Sequence, residues 1–160
     1  MRPIKVSTEV PQPREDVYDF LDVLANHELF TDHMMRDWRL EGPARGVGGK
    51  ATLNAVLGGR TDRLDIEVIT AEPPIKNIER NTGAGGKRVA TGTYTLDTLP
   101  DGGTRINFEY AWQQAPLSER LSAPLIRRIM RPAIQHSMQR LAEQLQTRQL
   151  MNSGATSEVQ

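Results

Sequence analysis

One long helical pattern closes the chain, and it limits what can precede it. Between Leu117 and Gln149, Leu121, Leu125, Ile126, Ile129, Met130, Ile134, Met138, Leu141 and Leu145 recur at short helical spacings. That repeat is an apolar stripe on a helix. Arg127, Arg128, Arg131, Arg140, Glu143 and Arg148 fill much of the remaining surface. At 1.5 Å per residue, a helix of roughly 25–30 residues spans about 40 Å. Only a whole sheet is broad enough to cover it. Nearly everything before Leu117 reads as strands, so the chain must wrap a sheet around one helix.

Two prolines fall in this pattern. Pro124 suits the first turn, where its missing N–H costs little, with Ser122 as the cap. Pro132 lies inside the pattern and predicts a kink or a break. Leu125, Ile126 and Ile129 centre on one direction. Ile134, Met138, Leu141 and Leu145 centre roughly 120° away, at 100° per residue. A kink at Arg131–Pro132 would turn both halves toward the same sheet.

The 160 residues suggest one domain over residues 1–150, followed by a disordered tail over residues 151–160. Formal net charge is zero, which gives no reason to expect a nucleic-acid partner. There is no cysteine, so disulfides, thiol catalysis and thiolate metal sites are excluded. No apolar run is long enough to span a bilayer and no secretory pattern opens the chain, so a cytoplasmic location is expected.

Ile4, Val6, Thr8 and Val10 alternate with Lys5, Ser7 and Glu9, which predicts a half-buried strand. Pro11 and Pro13 end it. A short amphipathic helix follows over Glu15 to Leu24, and a second runs from about Asn26 to Met34. Six strands are then expected at about 36–42, 49–57, 61–72, 75–81, 87–98 and 104–115. They are separated by Gly46–Gly49, Gly58–Gly59, Pro73–Pro74, Gly83–Gly86 and Asp101–Gly103. Short links make neighbouring strands antiparallel. Ala51, Leu53, Ala55 and Leu57 share one face of their strand; so do Leu64, Ile66 and Val68, and so do Ile106, Phe108, Tyr110 and Trp112. One side of the sheet is therefore covered and the other wet.

Along this order run the motifs Ile4-Lys5-Val6, Val10-Pro11 leading into Pro13 to Leu21, Gly46-Val47-Gly48, Ala71-Glu72-Pro73-Pro74, Gly92 to Leu96, and Gly103-Thr104-Arg105-Ile106. With them the chain resembles the SRPBCC, or START-like, superfamily over about residues 2–149. Within it, the chain is most similar to bacterial polyketide cyclase/dehydrase and lipid-transport-like proteins. One departure is Phe30, where many relatives carry tryptophan. The resemblance implies an α+β helix-grip fold: a curved antiparallel sheet of about seven strands around a long, kinked C-terminal helix, with two short helices after the first strand. It also implies a cavity for a hydrophobic molecule such as a lipid, a polyketide or another aromatic compound.

Leu53, Leu64, Ile66, Tyr94, Phe108, Tyr110, Trp112, Ile134 and Met138 are the expected lining. An aromatic stripe on a covered sheet is equally the mark of plain core. The polar candidates are Tyr94, Tyr110, His33, His136, Ser137 and Glu79. Glu79, between Ile78 and Arg80, reads as an exposed, ion-paired carboxylate, and His136 as a surface histidine. His27, Asp32 and His33 lack the i, i+4 spacing of a helical zinc pair, so neither a metal nor a cofactor is assigned. Arg127, Arg128 and Arg131 form a basic patch that would need an apolar anchor to hold a membrane surface.

The leading expectation is a protein that binds a hydrophobic small molecule. An aromatase/cyclase or dehydratase using tyrosines and histidines ranks second, and a ligand-free interaction module anchored by Trp38 ranks third. The sequence does not decide between a monomer and a homodimer.

Overall fold

In the computed structural model, residues 1–157 are described. Strand β1 (Ile4–Val10) leads to α1 (Arg14–Leu21), a 3-10 turn (Leu24–His27) and α2 (Glu28–Thr31). Six strands follow: β2 (Met35–Glu41), β3 (Lys50–Leu57), β4 (Arg60–Glu72), β5 (Lys76–Gly83), β6 (Arg88–Thr98) and β7 (Thr104–Gln114). Helices α3 (Leu117–Leu121) and α4 (Ala123–Ser157) close the chain. The strands form one antiparallel sheet in the order β1-β7-β6-β5-β4-β3-β2. This is the helix-grip architecture.

The meander follows from its turns. Leu57 pairs with Arg60 across a two-residue link, and Gly58 and Gly59 both take positive φ (56° and 77°). That hairpin geometry excludes most side chains. Period-two burial then sorts each strand into a covered and an open face. One core cluster joins Ile4, Phe20, Phe30, Leu96 and Ile106 to Leu141 and Leu145 of α4. A second gathers Leu24, Ala51, Leu53, Leu64, Ile66 and Val68, with Trp38 packed on it. Trp38 is half-buried there and is not a free surface anchor.

The C-terminal helix departs from expectation in four ways. It is not broken at Pro132, which lies inside α4. Pro132 is on the solvent face, where water can satisfy the Arg128 carbonyl that loses its N–H partner. Second, Leu121, Leu125 and Ile129 are exposed and do not join the core. Without them, the inward residues Ile126, Met130, Ile134, Met138, Leu141 and Leu145 stay within roughly 60° of one direction at 100° per residue. The pattern then requires no kink. Third, Ser122 makes no side-chain cap. Its carbonyl accepts the Ile126 N–H at 3.0 Å. The helix also continues through Asn152 to Ser157, into the stretch expected to be disordered; the last three residues of that stretch, 158–160, lie outside the described residues.

Candidate functional site

The grip between sheet and helix is not filled. A hollow of about 420 Å³ lies under α4, between the sheet and α2. That is within the usual range for small-molecule sites, about 300–1,000 Å³. Ile126, Met130, Ile134 and Met138 of α4 form one wall at four-residue spacing. Leu64 and Ile66 of β4, Tyr94 of β6, and Phe108, Tyr110 and Trp112 of β7 line the sheet side. Leu53 does not reach the hollow; it is buried in the second core cluster.

Aromatic contacts fix this lining. Tyr94 and Phe108 lie 4.8 Å apart by ring centroids, and Tyr110 meets Trp112 edge-on at 4.9 Å. Gly92 makes room for the Phe108 ring, since a Cβ at that position would sit 3.2 Å from Phe108 Cε2. Tyr94 and Leu96 share the inner face of β6, and Thr93 and Thr95 lie outside.

The polar part of the site comes from β5, whose inner row is Asn77, Glu79 and Asn81, all buried. Glu79 and Asn81 line the hollow. Glu79 is therefore not the exposed carboxylate expected from the sequence. Its Oε1 lies 2.9 Å from His27 Nδ1, and the two side chains are 7% and 4% exposed. The approach is close but skewed, leaving Oε1 without a well-aligned donor. His27 Nε2 lies 2.8 Å from the Leu21 carbonyl and must donate to it. Burial pushes the His27 pKa down, but the Glu79 carboxylate and the Leu21 carbonyl outweigh it, and the net shift is upward. Tyr94 stands edge-on to the His27 ring at 5.7 Å. Burial, then the Glu79 charge, raises its pKa well above the ordinary value, so it remains a proton donor. Trp38 Nε1, on the same lining, is buried without a partner.

A second ionic cluster closes another part of the wall. Arg88 reaches Glu119 Oε1 at 2.6 Å and also pairs with Asp62, which accepts the Ala84 N–H at 3.0 Å. Gly83 leaves room for this clasp, since a Cβ there would displace the Arg88 guanidinium. Burial pushes the nearby Tyr110 phenol up to about 12, although Arg88 pulls the other way.

The remaining candidates form no nucleophile–base pair. His33 Nε2 lies 3.0 Å from the Ala133 carbonyl and 3.3 Å from Ser137 Oγ, and Ser137 itself donates to that carbonyl. The nitrogen facing Ser137 thus carries the proton, and the hydroxyl proton is engaged elsewhere. His136 is exposed and packs edge-on against His33 at 4.6 Å. Among the described residues, no three potential ligands converge on a metal position. Among the described residues, no helix is long and apolar enough to cross a membrane.

Sequence reasoning weighed His27 only as a metal ligand and missed Asn81 and Arg88. The signal was in the strand pairing. Asn77 pairs with Tyr94, Glu79 with Val68 and Asn81 with Ile66. Directly paired residues share a face, so inward partners place the polar row inward.

Solved structures share the fold. The protein TTHA0849 from Thermus thermophilus is 17% identical and superposes with a TM-score of 0.70, covering 91% of this chain and 98% of its own. Ara h 8.0201 is 15% identical with a TM-score of 0.62, over 91% and 98%. DynU16, from the dynemicin biosynthetic locus, is 21% identical with a TM-score of 0.61; 91% of this chain matches 47% of it. Among curated proteins, none matches the sequence significantly. The family described as polyketide cyclase/dehydrase and lipid transport matches residues 1–146. With a helix-grip fold and a match over nearly the whole of its length, the chain belongs to the polyketide cyclase/dehydrase and lipid transport family.

Proposed function

We propose that this chain binds a hydrophobic small molecule of aromatic or polyketide-like character in the hollow beneath α4. One observation carries the reading: an apolar, aromatic-lined space with a single buried ion pair, His27–Glu79, on its wall. Burying about 200 Å² of ligand surface contributes roughly 5 kcal/mol. The Glu79 carboxylate, which lines the hollow, would accept a hydrogen bond from the ligand, and the Tyr94 hydroxyl would donate one. These groups set orientation more than affinity.

Native mass spectrometry with organic extraction tests this directly. The expected result is an adduct of a few hundred daltons on the parent chain. Met138 is buried on the hollow wall, so Met138→Trp should fill the space, lose the adduct and keep the fold. An unchanged adduct in Met138→Trp would remove the hollow as the binding site.

A second reading is supported by the same pair. A buried imidazole beside a carboxylate, edge-on to a protonated tyrosine, is a proton-transfer arrangement for cyclisation or dehydration of a poly-β-keto substrate. Under this reading, Tyr94→Phe abolishes turnover while binding persists. Binding without turnover in the parent favours the carrier.

A further inference from the structure

The first half of α4 is apolar on two faces, roughly 120° apart at 100° per residue. Ile126, Met130 and Ile134 face the hollow. Leu117, Leu121, Leu125 and Ile129 form a second row at four-residue spacing that starts in α3, and they are 69, 77, 60 and 36% exposed. A lone exposed leucine needs no explanation, but a continuous row of large apolar side chains does.

The exposed charges beside this row are all of one sign. Arg120 and Arg128 are exposed on the same two helices, whereas Arg131 points away from the row, into a groove over β1 and β7 with Lys5 and Glu109. Arg60 is exposed at the β3–β4 turn, where Gly58 abuts Ile129: a Cβ on Gly58 would lie 3.3 Å from Ile129 Cδ1. Glu119 is the only acidic residue between Leu117 and Arg140, and it turns inward to Arg88. Arg127 is engaged by the carbonyls of Arg2 and Pro3.

An exposed apolar row bordered only by arginines is complementary to an anionic lipid surface. It is poorly suited to a second copy of this chain. A two-fold contact sets the same patch against itself, which would bring two sets of arginines together with no acid between them. We propose that α3 and the first half of α4 dock on an anionic bilayer. The leucine row enters the acyl boundary, and Arg120 and Arg128 meet the headgroups. The hollow then lies one helix diameter, about 10 Å, from the bilayer. This inference goes beyond the ligand reading and holds whatever the hollow contains, so either can fail alone.

The test is co-sedimentation with vesicles of equal parts phosphatidylcholine and phosphatidylglycerol, against phosphatidylcholine alone. The parent should sediment with the anionic vesicles only. Leu121→Asp/Leu125→Asp should abolish the association while leaving the far-UV spectrum and melting temperature of the parent. Arg120→Gln and Arg128→Gln should each weaken it about fivefold. Those two variants read the same contact should the leucine variant not fold. No association with anionic vesicles overturns the proposal, and so does parent-like binding by the leucine or arginine variants. A parent dimer that Leu121→Asp/Leu125→Asp converts to monomer, with no vesicle binding, overturns it in favour of a second copy.

Discussion

Two ionic clusters touch the same hollow, and they differ in how completely they are satisfied. Arg88 is clasped by Asp62 and Glu119, with side-chain exposures of 18, 38 and 20%. Its one positive charge is shared by two carboxylates, and it ties β4, β6 and α3 together. His27 and Glu79 are almost fully enclosed, and one carboxylate oxygen keeps unused hydrogen-bonding capacity. Burying such a pair is expensive, and apolar residues of similar volume would often be as stable. The Arg88 cluster therefore reads as structural, and the His27–Glu79 pair as a recognition element held at a cost in stability.

That difference should show first in stability. Removing one member of an enclosed pair strands the other charge, so His27→Ala or Glu79→Ala should each cost about 3–5 kcal/mol in urea unfolding. Arg88→Gln leaves carboxylates that water can reach and should cost about 1–2 kcal/mol. Equal losses at the two clusters would erase the distinction.

A smaller effect comes from pH. The His27 pKa is raised on folding, so the folded state holds its proton where the unfolded chain releases it. The stabilisation is full below about pH 6.5, the ordinary histidine value, and is lost as pH rises through the folded-state value. Urea midpoints of the parent, compared with His27→Gln across that window, should converge as pH rises. A gap that widens with pH would mean that the ring is buried neutral.

Much of the fold is legible in the sequence because strand alternation and glycine turns are local signals. The strand at residues 4–10 and the Gly58–Gly59 hairpin are examples. Two features are not legible, for related reasons. Leu121, Leu125 and Ile129 have the same helical spacing as the inward row, and periodicity cannot tell which of two apolar faces is wet. On β5 the polar residues Asn77, Glu79 and Asn81 point inward and half-buried Ile78 points out, against the usual binary pattern. Such inversions occur where function outweighs local preference. In the site itself, the aromatic lining of β7 could be read from alternation. The His27–Glu79 pair could not, because it joins a 3-10 turn to a strand far away in sequence.

The most direct test of the central claim, that an apolar ligand is oriented by Glu79, is calorimetric titration with a matched pair of probes, naphthalene and 2-naphthol. One hydroxyl separates them, and a hydrogen bond to a charged acceptor contributes about 1.5–3 kcal/mol. The account predicts that the parent binds 2-naphthol at least about tenfold more tightly, and that Glu79→Gln removes most of that advantage while naphthalene affinity holds. Equal affinity for the two probes in the parent, or an advantage that survives Glu79→Gln intact, would contradict it.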